Sequence, residues 1–180
     1  MSTMLLIIVI LVVVAAVATV VFISMSRRQS TNGREEFGPE FERVARERGS
    51  EKEAERELRE RREQVENQIR PLSDDGRRRY KEEWEMVERT FVDNPVLALD
   101  QANRVVTDIL SERNFPTESP QKAADAVGVI HSKVVEDFRD AQRIHADTAH
   151  LGEEGSIEDE SMEQMRRGIQ KYRSVYERLV

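Results

Sequence analysis

The feature that most constrains this chain is an uncharged apolar run near its amino terminus. From Met4 to Met25 the sequence reads MLLIIVILVVVAAVATVVFISM, in which Thr19 and Ser24 are the only polar side chains. As a helix this run is about 33 Å long at about 1.5 Å per residue, and the hydrocarbon layer of a bilayer is about 30 Å thick. Residues 1–26 are therefore predicted to form a single transmembrane anchor that contacts the lipid bilayer through residues 4–25.

Two other interpretations of the run stay open. An all-round apolar helix can be buried in a soluble protein, but the rest of this chain offers few apolar partners for it. A secretory signal peptide has a basic start, a shorter apolar stretch and small residues at its cleavage site. Here no Lys or Arg precedes the run, and Ala15, Ala16 and Ala18 lie in its middle. The sequence therefore favours a retained anchor.

Basic residues beside the run predict its orientation. Arg27, Arg28 and Arg34 follow the run, and such residues stay preferentially on the cytoplasmic side of a membrane. The expected location is the cell membrane, with a single pass and the carboxy-terminal domain in the cytoplasm. A secreted or outer-face, envelope-associated domain is the alternative.

Composition limits what the rest of the chain can bind. The 180 residues include 28 Lys and Arg against 35 Asp and Glu, so the net charge is −7 at pH 7. This charge gives nucleic acid no general attraction, and we expect no nucleic-acid partner. The lack of cysteine excludes disulfides, thiolate metal sites and cysteine nucleophiles. Every charged residue follows residue 26, so the remainder is rich in charge and poor in core material.

Residues 27–36 are polar and include the turn pair Asn32-Gly33, so they are predicted to form a flexible tether. After this segment, helix signals recur and strand signals do not. Ser or Asn stands where a helix cap is needed, twice followed by Pro at the first helical position, and Gly stands where helices end. The expected helices begin near Pro39, Ser50, Ser73, Asn94, Ser119, Ser132 and Ser156. The first six end near Gly49, Arg70, Phe91, Asn114, Gly128 and Leu151. The predicted class is all-α.

Apolar residues spaced three and four apart mark the helices that form a core. The last helix has Met162, Met165, Ile169, Tyr172, Tyr176 and Leu179. The third has Tyr80, Trp84, Val87 and Phe91, and the sixth has Val134, Phe138, Ala141 and Ile144. The fourth has Ala98, Leu99, Ala102, Val105, Val106, Ile109 and Leu110. Residues 71–180 are predicted to form a small helical bundle.

The second helix differs because it has few apolar residues. Its sequence EKEAERELRERREQVENQI provides Ala54, Leu58, Val65 and Ile69, and the rest is mostly Glu and Arg that can pair one helical turn apart. We therefore predict that residues 37–70 are a charged, membrane-proximal helical arm that projects from the bundle or lies across it.

Chemistry-bearing motifs are absent. The histidines are His131, His145 and His150, and Asp147 shares a helix face with His150, but a di-metal bundle site needs a second such pair and further carboxylates. The sequence has no zinc-protease, phosphate-loop, dinucleotide or serine-hydrolase motif. We predict no catalytic, cofactor-binding or metal-binding residue and no identifiable small-molecule substrate.

The best basic cluster, residues 77–81, reads Arg-Arg-Arg-Tyr-Lys and could contact RNA or lipid phosphates. Four acidic residues follow at once, and on a helix Arg78 reaches Glu82 and Arg79 reaches Glu83. The favoured interpretation is a solvated charged face. For Trp84 and the Met162-Met165 pair, packing in the core is favoured over a ligand platform or docking groove.

Several short segments carry a family resemblance. They are F-G-P-E-F at Phe37 to Phe41, Arg70-Pro71-Leu72-Ser73, Tyr80, Glu83-Trp84, Phe91-Val92-Asp93, Pro95, Phe115-Pro116, Val134-Val135-Glu136 and Phe138-Arg139. Together they resemble a group of uncharacterised bacterial proteins, mainly actinobacterial, with an amino-terminal membrane segment and a charged helical domain. The resemblance covers nearly everything after the tether and implies no activity and no site residue.

The function that these features favour is a non-enzymatic scaffold or protein-interaction module anchored by one transmembrane helix. Its partner would be another protein or a second copy, bound through the charged arm at about Glu51 to Ile69. One alternative is an outer-face envelope protein. Another is an enzyme or ligand-binding domain with an unrecognised pocket, containing a carboxylate or histidine from the sixth or seventh helix.

Overall fold

The structure is a computed structural model that describes residues 33–149, 151 and 159–180. Within these ranges it is helical and contains no strand, which confirms the predicted all-α class. The predicted anchor, residues 1–26, lies outside the described residues. Among the helices that are described, none is long and apolar enough to cross a membrane.

Seven helices with defined bounds follow one another along the described chain. They are α1 (Pro39–Arg48), α2 (Glu51–Glu66), α3 (Asp74–Asp93), α4 (Pro95–Glu112), α5 (Pro120–Ile130), α6 (Val135–Thr148) and α7 (Asp159–Leu179).

Side-chain caps fix the starts of several helices where the sequence predicted them. The Ser73 hydroxyl accepts a hydrogen bond from the Gly76 N–H at 2.9 Å and starts α3. Asn94 and Ser119 cap α4 and α5 in the same way, at 3.0 and 3.2 Å, each with Pro as the first helical residue. These caps satisfy N–H groups that have no partner within the helix.

Several predicted helix boundaries differ from the observed ones. Helix α2 ends at Glu66 rather than Arg70, and α6 begins at Val135 rather than Ser132. Helix α5 does not end at Gly128 but continues to Ile130. Gly128 is buried inside this helix, so packing there outweighs the poor helix propensity of glycine. Helix α6 ends at Thr148, before the predicted end at Leu151, and the predicted cap at Ser156 lies outside the described residues.

Contacts divide the chain into two compact units, with the division between Glu57 and Leu58. The sequence predicted that the arm extends to residue 70. In the structure, residues 58–70 instead belong to the second unit, together with the predicted bundle. Hydrogen bonds give the reason: the Arg70 N–H donates to the Arg113 carbonyl at 3.0 Å, and the Asn114 amide donates to the Gln68 carbonyl at 2.9 Å. These bonds tie the segment after α2 to the end of α4.

In the first unit, residues 33–36 are helical, which differs from the flexible tether predicted up to residue 36. Arg34 lies 2.6 Å from a carboxylate oxygen of Glu51 and 3.1 Å from one of Glu42, so ion pairs connect this segment to α1 and to the start of α2. The rest of the predicted tether lies outside the described residues.

Helix α1 is short, and its large apolar side chains are buried. Phe41 and Val44 are buried on it, and Phe37 is buried just before it. Gly49 ends the helix in the left-handed region, at φ +69°, as the sequence predicted.

The second unit is built around α7, which packs extensively on α6 and on α4, while α3 packs on α4. Most predicted stripe residues are buried. The exceptions are partly exposed and are Phe91, Ile144, Met162 and Ile169. Helix α5 also contributes to the core, although the sequence did not count it among the core helices. It does so through Ala123, Ala124, Ala126, Val127 and Val129.

Gly168 allows the closest approach of α7 to its two neighbours. A Cβ atom at this position would lie 2.8 Å from Leu99 Cδ1 on α4 and 3.0 Å from Ile144 Cγ2 on α6. Both distances are shorter than an ordinary van der Waals contact. The narrow stripe predicted for α7 passed over this residue, because glycine carries no apolar side chain to count.

We expect Gly168→Val to lower the free energy of unfolding of the second unit by about 2 kcal/mol, because the added methyl groups overpack the junction of α4, α6 and α7. Urea unfolding of the full chain, followed by the fluorescence of Trp84, measures this change, since Trp84 is the one tryptophan and is buried in the unit. Gln170→Val, at an exposed position of α7, is the matched control and should cost about 0.5 kcal/mol. Equal losses in the two variants would contradict this role of Gly168.

Candidate functional site

A concavity with a volume of about 500 Å³ lies between α4, α5 and α6. We call it the α4–α6 cleft. Asn103 and Thr107 line it from α4, Thr117 from the segment before α5, and Arg143 and His145 from α6. Its volume falls within the range of pockets that hold small molecules. The sequence did not predict this cleft, but it is the kind of pocket that the ligand-binding alternative requires.

His145 also lines a second, smaller concavity of about 300 Å³, together with Asp100 and Thr148. His145 Nε2 lies 3.3 Å from Asp100 Oδ1, and Asp100 also accepts a hydrogen bond from Arg104. Burial acts to raise the pKa of Asp100, but the hydrogen bonds and charges of Arg104 and His145 lower this pKa below its ordinary value. Asp100 is therefore an anion at neutral pH and holds His145 at the edge of both concavities.

A buried tyrosine orients the amide of Asn103. The Tyr172 hydroxyl, on α7, donates a hydrogen bond to Asn103 Oδ1 at 2.8 Å. Burial, and the nearby charge of Asp100, raise the pKa of Tyr172 far above its usual range, so the hydroxyl keeps its proton. Because the amide oxygen is used in this way, the amide NH₂ group of Asn103 remains as a donor.

A sequence signal for the cleft exists but is weak. Asn103 and Thr107 are four residues apart on α4, and Gln142 and His145 are three apart on α6, so each pair lies on one face of its helix. Nothing in the sequence indicates that these two polar faces meet, since 34 residues, including those of α5, separate Thr107 from Gln142.

The residues weighed for a metal site are Asp147 and His150, near the end of α6. Asp147 is exposed on α6, and His150 is not described. In the described ranges, no group of three or more His, Asp or Glu side chains is placed to hold a metal ion.

The basic run at residues 77–81 is accompanied by carboxylates. Arg79 lies 3.7 Å from Glu83, as the sequence predicted, and also pairs with Glu112 on α4. Arg78 pairs with Asp75, on the preceding helical turn, rather than with Glu82. These pairs offset much of the positive charge at the surface of α3.

Trp84 is part of the core. It is 4% exposed, and its ring stacks on that of Tyr176 at a centroid distance of 4.7 Å. The Trp84 indole N–H donates to Glu88 at 3.1 Å. Met165 is fully buried, while Met162 is partly exposed. Core packing is thus the observed role of Trp84 and Met165.

Three arginines of α2, the helix predicted to contact a protein partner, have different surroundings. Arg59 is exposed, and Arg62 pairs with Glu66 at 2.7 Å one helical turn away. Arg61 is three-quarters buried and lies 3.7 Å from Asp125, which also lies 3.1 Å from Arg139 of α6. Arg61 therefore belongs to an ion cluster inside the second unit, whereas Arg59 and Arg62 lie at its surface.

His131 is a half-buried histidine between α5 and α6. Neither ring nitrogen has a hydrogen-bond partner within the described residues, and the ring lies beside Phe115 at a centroid distance of 6.3 Å. Burial, and the positive charges of Arg113 and Arg178, lower the pKa of His131 to about 4. His131 is therefore neutral at physiological pH.

Comparisons of this chain with protein-family models, with curated proteins and with solved structures find no significant match. The resemblance to a group of actinobacterial membrane proteins stays a prediction.

Acid should destabilise the second unit partly through His131. Above about pH 6.5 this residue is neutral in both the folded and the unfolded chain. As the pH falls from 6.5 towards 4, the unfolded chain takes up a proton that folded His131, with a pKa of about 4, does not, so stability is lost. We expect this loss to be about 2 kcal/mol, since a pKa difference of one corresponds to about 1.4 kcal/mol and solvent screens part of it.

The measurement compares urea unfolding at pH 7 and pH 4.5 for the original chain and for His131→Phe. The loss of stability on acidification should be smaller in His131→Phe, because phenylalanine takes up no proton in the unfolded chain. The carboxylates contribute equally to the loss in both chains. His145→Gln is the control and should keep the larger loss. The same loss in all three chains would show that His131 has no part in it.

Proposed function

We propose that this chain is a non-enzymatic protein-interaction module held at the cell membrane by one transmembrane segment. The observation that carries the proposal is the contrast within the sequence: Met4–Met25 has no charge, and every charged residue follows it. A helix with these properties is stable in a bilayer, while a remainder so rich in charge stays in water. The helical bundle found for the second unit is consistent with a compact domain on such an anchor.

The proposed orientation places the helical units in the cytoplasm. Its support is Arg27, Arg28 and Arg34, which follow the apolar run, together with the lack of Lys or Arg before it. The same arrangement on the outer face of the membrane is the competing topology.

Anchoring explains how a modest surface could be sufficient for function. A domain confined to a membrane meets other membrane-bound proteins at a raised effective concentration, so a weak contact can be occupied. The partner in this proposal is another protein or a second copy of the chain, and the contact is made by exposed charged residues of α2.

The structure narrows the part of α2 that can be tested for this contact. Reversal of Arg61 would place a carboxylate beside Asp125, 3.7 Å from the present guanidinium, and would disturb the ion cluster inside the second unit. Arg59 is exposed and Arg62 is partly exposed, and charge changes at surface positions usually alter stability by about 0.5 kcal/mol or less. We therefore assign the proposed contact to Arg59 and Arg62 and leave Arg61 out of it.

Fractionation of native cells tests the anchor. We expect the full chain in the membrane fraction after alkaline washing, because about 22 apolar residues keep it in lipid. Added protease should digest the helical units in inverted vesicles but not in intact cells. A variant lacking residues 4–25 is the control and should be recovered in the aqueous fraction.

Two results would overturn parts of this assignment. Digestion from outside intact cells would place the helical units on the outer face. Recovery of a mature chain that starts downstream of Ile23 in the aqueous fraction would show cleavage and would exclude a permanent anchor.

Proximity labelling from the full chain in native cells, followed by affinity capture, tests the contact surface. The double variant Arg59→Glu and Arg62→Glu should lose at least one captured protein, or the second copy of the chain, because it reverses the charge that the partner meets. The double variant Arg89→Glu and Arg166→Glu changes the net charge equally at exposed positions of α3 and α7 and should capture the same set as the original chain. Identical sets from all three chains would contradict a contact through Arg59 and Arg62.

A further inference from the structure

The α4–α6 cleft differs in charge from most of the chain. The sequence has 35 Asp and Glu and a net charge of −7, yet none of the ten residues that line the cleft carries a carboxylate. Three other concavities of the second unit, of about 420, 330 and 300 Å³, each have at least one Asp or Glu in their lining. An anion bound in the cleft would therefore not be repelled by a carboxylate of a lining residue.

The cleft also presents several hydrogen-bond donors. Arg143 provides a guanidinium, Thr107 and Thr117 provide hydroxyl groups, and Asn103 provides the NH₂ group that Tyr172 leaves for other contacts. His145 lies at the edge of the cleft beside Asp100. Guanidinium, hydroxyl and amide donors around one space are the groups that bind carboxylate and phosphate oxygens.

Arg143 already has an anionic partner that can be replaced. Its guanidinium lies 2.5 Å from Asp140, at the surface, with 68% of the arginine side chain exposed. Asp140 has a second cation, Lys171 of α7, at 2.9 Å. An exposed pair of this kind contributes little to stability, and Asp140 would keep a partner if Arg143 turned to a ligand.

We infer that the α4–α6 cleft binds a small molecule through a carboxylate or phosphate group, with Arg143 as the cation and Asn103 and Thr107 as the donors that orient it. The volume of about 500 Å³ leaves room for the remainder of such a molecule beside Thr117 and Ala123. This inference is independent of the membrane anchor, because all the residues involved belong to the second unit.

Binding of simple oxyanions to the full chain in a non-ionic detergent tests the inference. Inorganic phosphate and acetate are the two probes, and methylammonium is the cationic control. At least one of the two anions should bind with saturation below about 50 mM, and methylammonium should not. Backbone amide NMR signals of Asn103, Thr107 and Arg143 should shift in the same titration. Which anion binds more tightly distinguishes a phosphate ligand from a carboxylate ligand.

Matched variants assign the binding to this cleft. Arg143→Gln should weaken it about tenfold, whereas Arg166→Gln should not, although Arg166 is also exposed and also pairs with an acid three residues earlier, Glu163. Thr107→Val should weaken it about threefold. Asp140→Asn should tighten it about threefold, because it removes the carboxylate that competes for Arg143.

Several results would overturn the inference. These are absence of saturation with both anions, equal affinities in Arg143→Gln and Arg166→Gln, or shifts confined to other parts of the chain. Thermal unfolding of each variant shows that it is folded, and Asp140→Asn provides a gain of affinity that misfolding cannot produce.

Discussion

The packing of α7 against α4 and α6 is the contact on which the second unit depends. It requires a residue without a side chain at Gly168, where Leu99 and Ile144 approach from the two neighbouring helices. One turn further along α7, Tyr172 is fully buried and its ring meets that of Phe138 edge to face, at a centroid distance of 6.5 Å. A single helix thus holds α4 and α6 in place, while α3 packs on α4 and α5 packs on α6.

The α4–α6 cleft is a consequence of the same junction, although α7 does not line it. Two adjacent residues of α7 hold its two walls: Tyr172 bonds to Asn103 on α4, and Lys171 pairs with Asp137 and Asp140 on α6. Because the hydrogen bond from Tyr172 uses only the amide oxygen of Asn103, this contact positions Asn103 while its NH₂ group remains a donor. Positioning of this kind is what binding sites require.

Charged residues have two different roles in this chain. Many pair with a residue three or four positions away, as Arg62 does with Glu66, and such exposed pairs contribute little to stability while keeping helix surfaces soluble. A few connect distant segments, as Asp125 does with Arg61 and Arg139. The second kind restricts which helices can be neighbours.

The sequence by itself determined the helical class, the starts of α3, α4 and α5 and most of the core. Caps such as Ser73 act over one turn, and the apolar stripes repeat within one helix, so both are local properties of the chain. The sequence also carries all the support for the membrane anchor. Only the tertiary structure decided that Gly128 lies inside a helix, that α5 belongs to the core, that residues 58–70 join the second unit, and that polar faces of α4 and α6 form a cleft. These features depend on which helices meet in space, and packing between residues far apart in sequence, rather than local propensity, fixes that choice.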